Sequence, residues 1–132
     1  DEEGAEYIVV EGQGALCHPA ASANLALIRG TMPTHLLLAH RAHQKSLRRL
    51  PGFSIPPLTE LIKIYEDLSS CAGAFPRPKT LGVALNTSHL DEHEAKEAIQ
   101  KTEDEVCLPV SDPVRHGCDV FLDRLIDIVS VN

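Results

Sequence analysis

The sequence predicts an α/β fold in which a parallel sheet is covered by helices. Short apolar runs alternate with longer amphipathic ones along the chain, the order that sets helices between parallel strands. A β-branched run, Tyr7-Ile8-Val9-Val10, opens directly into the glycine-spaced segment Glu11-Gly12-Gln13-Gly14. A later strand-like run, Thr80 to Asn86, leads into the polar cluster Asn86-Thr87-Ser88. Ligands of open α/β sheets bind beyond the carboxyl ends of the strands, so both polar endings are expected at that edge.

Taken in order, the first strand is expected at about Tyr7 to Val10. Ala20 to Ile28 carries small and apolar residues at helical spacing, with Gly30 as its C-cap. A second strand follows at His35 to Ala39. Arg41 to Pro57 is polar and proline-punctuated, which reads as loop or short turns. The next helix begins around Pro56-Pro57, because proline suits a first turn, and sets Leu58, Leu61, Ile62, Tyr65 and Leu68 at helical spacing. Pro76-Arg77-Pro78 turns the chain into the third strand, Thr80 to Asn86. Ser88 and Asp91 form an [ST]xx[DE] capping box that opens a helix from about Leu90 to Glu103. Val106 to Pro109 reads as a short fourth strand. Asp112-Pro113 then starts a last helix through Val120, Leu122, Leu125, Ile126 and Val129. Four such strands leave an unprotected parallel edge, which invites pairing with further strands or association into a homo-oligomer.

The 132 residues hold one domain with a real core, spanning 1–132. The chain opens on Asp1 rather than Met and contains no GxxxxGK[ST] phosphate loop, so it is expected to be the C-terminal part of a larger enzyme. Twelve basic against nineteen acidic residues give a net charge of −7, with two Tyr, three Phe and no Trp for stacking. No basic cluster exceeds Arg48-Arg49, which argues against nucleic-acid binding. No run approaches the length of a membrane span and no signal peptide is visible, so a soluble cytoplasmic protein is expected. Cys17, Cys71, Cys107 and Cys118 are widely spaced without a CxxC pair, as free thiols in a reducing compartment would be.

Glu11 is the leading candidate for chemistry. A carboxylate at a strand end holds Mg²⁺ or accepts a proton, while Gly12, Gln13 and Gly14 bring backbone N–H groups close to a ligand. The plainer reading is a tight turn with Glu11 as a local cap. His18, just before Pro19, would orient a substrate or donate to an oxyanion, or is a surface loop residue. Asn86 can read a planar ligand edge through its paired donor and acceptor, against the alternative of helix capping, which Thr87 or Ser88 already provides. Asp112-Pro113 is a good helix start, and Arg115 just beyond it presents a planar fork suited to carboxylate or phosphate. His40 and His43 lie at i, i+3 without a third metal ligand nearby. His89 and His93, at i, i+4 among acids, read as a solvated helix start. No GxSxG elbow occurs, which excludes an α/β-hydrolase triad.

Together, Val10-Glu11-Gly12-Gln13-Gly14 with His18-Pro19, Ile55-Pro56-Pro57-Leu58, Ala84-Leu85-Asn86-Thr87-Ser88 and Leu108 to Arg115 resemble the C-terminal domain of the D-glutamate N-acetyltransferase family, long catalogued as a domain of unknown function. The resemblance runs over nearly the whole chain in the same motif order. It implies a three-layer domain of P-loop NTPase type that lacks its phosphate-loop half, paired in the whole protein with an N-terminal Rossmann-like domain. It implies an acyltransferase of D-amino-acid metabolism, moving an acetyl group from acetyl-CoA to the amine of D-glutamate. Val10-Glu11-Gly12 and Leu85-Asn86 are also similar to dethiobiotin synthetase. This similarity implies Mg²⁺ near Glu11 and an adenine, of ATP or coenzyme A, near Asn86. Two departures stand out: His40-Arg41-Ala42-His43-Gln44 replaces His-Glu-Ala-Gly-Arg, and Ala20-Ala21-Ser22 replaces Gly-Tyr-Ser. Three functions follow: an N-acetyltransferase with Glu11 or His18 as base, an ATP- and Mg²⁺-dependent ligase or kinase, or an inactive nucleotide- or CoA-binding remnant.

Overall fold

A computed structural model of the chain describes residues 7–20 and 22–130. Ten elements follow in order: α1 (Ala23–Thr31), β1 (His35–Arg41), β2 (Ser46–Leu47), β3 (Leu50–Ser54), α2 (Leu58–Ser70), β4 (Lys79–Asn86), α3 (Glu92–Val106), β5 (Val110–Ser111), α4 (Pro113–His116) and α5 (Asp119–Ser130). The sheet is parallel with order β1-β4-β5, and β2 and β3 form a separate antiparallel pair.

The expected α/β class and parallel sheet are present, with three strands rather than four. Among the described residues Tyr7 to Val10 pairs with no strand: the segment is irregular, with Ile8 71% and Val9 94% exposed. β-branched sequence favours a strand only where a neighbouring backbone is in reach to pair with it. β5 starts four residues later than expected, because α3 continues to Val106 and closes on Cys107 in the left-handed conformation, φ 53°. α1 likewise runs past Gly30 to Thr31 and closes on Met32, φ 45°. Ala21, in the expected start of that helix, lies outside the described residues. The segment expected as loop after Arg41 carries the short β2–β3 pair, anchored by the buried Leu47.

Two helix starts are made differently from the sequence reading. The capping box of α3 is Asp91 and Glu94, not Ser88 and Asp91. Asp91 Oδ1 accepts from Glu94 N at 2.8 Å, and Asp91 N donates to Glu94 Oε2 at 3.0 Å. α2 begins after Pro57, which offers no side-chain cap, and Leu58 N donates instead to Glu105 Oε1 at 2.9 Å. A carboxylate from the last turn of α3 thus caps a helix 47 residues away, where an N-terminal dipole favours negative charge.

The two faces of β4 are packed unlike one another. Val83 and Leu85 are fully buried among Leu58 and Leu61 of α2, Ala98 and Val106 of α3, Ala42 and Val110. Gly82 points the opposite way, toward Phe121 of α5. A Cβ at Gly82 would stand 2.3 Å from the Pro109 carbonyl oxygen and 2.8 Å from the Phe121 ring. Helices therefore cover the sheet on both faces. Below Gly82, β1 advances from Leu36 to Leu37 while β4 advances from Thr80 to Gly82, so Leu81 is a bulged residue. Beside the bulge, Glu66 of α2 accepts from Thr80 Oγ1 at 2.7 Å and Thr80 N at 3.3 Å, pinning the foot of β4 to α2. Among the described residues no helix is long and apolar enough to cross a membrane.

Gly82→Ala is expected to destabilise the chain by about 1–3 kcal/mol, the usual cost of overpacking a filled site. Because the Pro109 carbonyl is backbone and cannot swing away, equilibrium denaturant unfolding should show a clear loss. An unchanged midpoint would mean that α5 does not sit on this face.

Candidate functional site

The glycine loop is held by two side chains that come from helices. Asn24, in the first turn of α1, is 5% exposed, and its Nδ2 donates to the Gly14 carbonyl at 2.6 Å. Its Oδ1 is buried, accepts no hydrogen bond among the described residues, and lies 3.4 Å from where a Cβ of Gly12 would stand. Tyr65 of α2 accepts from the Leu16 backbone N at 3.2 Å through its hydroxyl. Burial pushes the Tyr65 phenol above its ordinary range, and the Leu16 hydrogen bond opposes part of that rise. Gly14 adopts φ 75°, a conformation that a side chain would strain.

Above this clasp the loop is open. Glu11 to Ala15 are exposed, and the N–H groups of Gly12, Gln13 and Gly14 donate to no acceptor among the described residues. The Glu11 carboxylate likewise has no cation partner there. His18 is half-buried, and its Nδ1 accepts from Ala20 N at 3.1 Å. A neutral His18 then carries its proton on Nε2, which leaves it a donor rather than a base. One free carboxylate, three free amides and one N–H donor therefore share a short segment.

Asn86 and Arg115 belong to a second cluster at the carboxyl ends of β4 and β5. Asn86 is the last residue of β4, exposed, and its Oδ1 accepts from Ser88 N at 3.0 Å, leaving Nδ2 free. Behind it lies Asp112, 3% exposed. One of its oxygens accepts from the Thr87 backbone N at 2.9 Å and from the Thr87 hydroxyl, and the other accepts from Val114 N at 3.0 Å. Burial by itself would raise the Asp112 pKa, but the donors from Thr87, Val114 and Arg115 outweigh it and hold the carboxyl below its ordinary value of 3.8. The Arg115 guanidinium is engaged by three partners: Nη1 donates to Glu92 at 3.1 Å, and Nη2 donates to the Leu90 carbonyl at 2.6 Å and the Thr87 carbonyl at 3.2 Å. An anion would have to compete with these partners, so Arg115 serves first to shape the loop that carries Asn86.

The seven residues singled out from sequence thus fall into two groups. Glu11, Gly12, Gln13, Gly14 and His18 lie on the α1–α2 side, Asn86 and Arg115 at the sheet edge. No hydrogen bond or ion pair joins the groups among the described residues. Asn24, Tyr65, Thr87 and the burial of Asp112 were missed. The one sequence signal for Asn24 was an amide early in an otherwise small and apolar helix. His40 is part-buried on β1, where burial lowers its pKa against a smaller opposing pull from Glu105. No group of three or more His, Cys, Asp or Glu gathers in metal-binding geometry among the described residues. All four cysteines are free, with Cys71, Cys107 and Cys118 exposed.

A depressed carboxyl adds stability above its unfolded pKa and loses it as pH falls through the folded value. Wild-type stability is therefore expected to drop steeply below about pH 4. Asp112→Asn should be less stable near neutrality by roughly 2–4 kcal/mol and should flatten that acid limb. Chemical denaturation across pH 2–7 measures both effects, and an unaltered acid slope in the variant would exclude Asp112 as its source.

Comparisons with known proteins place the chain in a family. The family described as the DUF1611 C-terminal P-loop domain, a domain of unknown function, matches residues 1–122. A D-glutamate N-acetyltransferase of Tritonibacter scottomollicae is 34% identical over 126 residues, and one from a Pseudoalteromonas species 28%. These matches cover 95% of this chain and 37% of each relative, so the chain spans little more than a third of their length. The crystal structure of a DUF1611 family protein from Anabaena variabilis superposes with a TM-score of 0.86 at 51% identity, covering 89% of this chain and 34% of that one. The chain belongs to the DUF1611 family, as a portion of its C-terminal P-loop domain.

Proposed function

We propose that this chain is the C-terminal, loop-bearing part of an enzyme that transfers an acetyl group from acetyl-CoA to the amino group of D-glutamate. The observation that carries the reading is the Glu11–Gly14 loop, whose unpaired amides stand beside a free carboxylate. The names of the two related D-glutamate N-acetyltransferases support it. Acetyl transfer to an amine forms a C–N bond, breaks the thioester C–S bond and releases a proton from the nitrogen. A base must take that proton, and hydrogen-bond donors must meet the charge that builds on the carbonyl oxygen. Glu11 suits the base. The amides of Gly12, Gln13 and Gly14 suit the oxygen, with His18 Nε2–H as a further donor. The coenzyme's adenine falls to Asn86, with Arg115 supporting its loop.

A second reading, an ATP- and Mg²⁺-dependent ligase or kinase, is favoured by the P-loop description of the family. In it Glu11 would hold Mg²⁺, which commonly takes one or two protein carboxylates, and the ion would supply charge neutralisation for phosphates.

The complete gene product, given acetyl-CoA and D-glutamate, is expected to release free CoA thiol without ATP. Glu11→Gln should slow release by about 10²–10⁴-fold while leaving acetyl-CoA binding intact. A thiol-trapping assay reads the release and calorimetry the binding. Full activity in the variant would remove Glu11 from the chemistry, and release that depends on ATP with ADP formed would assign the protein to the second reading.

A further inference from the structure

We propose that Asn24 and Tyr65 are positioning residues that set the glycine loop in its ligand-binding shape. The inference rests on the reading of that loop as the site where acetyl-CoA is held. Asn24 reaches both glycines: its Nδ2 bonds the Gly14 carbonyl, and its Oδ1 lies 3.4 Å from where a Cβ of Gly12 would stand. Gly14 supplies the positive φ of the turn whose carbonyl Asn24 holds. Tyr65 fastens the far end of the loop at Leu16. Neither side chain is on the loop; Asn24 is buried and Tyr65 half-buried. With the Gly14 carbonyl and the Leu16 amide both held from behind, the amides of Gly12, Gln13 and Gly14 remain free to face outward. Three adjacent donors are useful to an anionic or carbonyl oxygen only if they are held in one arrangement before it arrives.

A merely structural role would make any loosening of α1 from α2 equivalent. Arg29 provides the control: its NH1 donates to the Ser69 carbonyl at 3.4 Å, and its guanidinium lies 4.8 Å from the Phe75 ring centroid, joining the same helices away from the loop.

Amide hydrogen exchange and acetyl-CoA calorimetry on the complete gene product test the proposal in Asn24→Ala, Tyr65→Phe and Arg29→Gln. Asn24→Ala is expected to speed exchange at Leu16, to which it makes no hydrogen bond, and to weaken acetyl-CoA about fivefold or more, the equivalent of one lost hydrogen bond. Tyr65→Phe should do the same at Leu16 with a smaller effect on binding. Arg29→Gln should lower the melting temperature yet leave Leu16 exchange and acetyl-CoA affinity unchanged. If binding falls in all three in proportion to lost stability, or if Leu16 exchange is unaltered in Asn24→Ala, the proposal is overturned. A wild-type protein that binds no acetyl-CoA would sink the functional reading alone, because the Leu16 exchange result still decides whether Asn24 positions the loop.

Discussion

The buried carboxylate of Asp112 is the interaction on which the carboxyl edge of the sheet depends. Thr87 is fully buried, and both its backbone amide and its hydroxyl end on this one side chain. The other carboxylate oxygen caps α4, so a single group ties the end of β4 to the turn after β5. An ion taken out of water is stable only when its lone pairs are filled, and here four donors fill them. Arg115 then carries the same constraint outward to Glu92 and the Leu90 carbonyl, beside the capped start of α3. Asn86, one residue before Thr87, keeps its exposed place on this rigid loop.

The rest of the layer packing follows a similar rule of distant groups completing one another. Glu105 caps α2 from the end of α3, and Glu66 pins the foot of β4 from α2. Gly82 gives Phe121 its seat by having no side chain. Each contact links separate elements, so the sheet and its two covering layers are expected to lose stability together.

The glycine loop stands apart from this scaffold. It leans on α1 and α2 through Asn24 and Tyr65 rather than growing out of a paired strand. An isolated stretch of β-branched residues has no partner for its backbone groups, so Tyr7 to Val10 does not deliver Glu11 to the sheet edge. The two groups of candidate residues accordingly sit on different supports. Among the described residues no hydrogen bond or ion pair joins the two groups.

What the sequence by itself determined was local. Periodicity placed β1, α2, β4 and the α/β class, because burial of one face imposes a repeat of two or 3.6 residues on the chain. Glycine spacing marked the loop, and Asp112-Pro113 marked a helix start, because backbone conformation and end-capping are short-range. Tertiary structure decided what those residues are for. Asp112 read as a helix cap, which it is, and it is also the buried centre of a network. Arg115 read as an anion fork and is engaged by two carbonyls and a carboxylate. The true capping box of α3, the partner of Gly12 and the support of Leu16 come from side chains whose roles depend on which backbone lies opposite. That proximity is set by packing over tens of residues, and no local pattern encodes it.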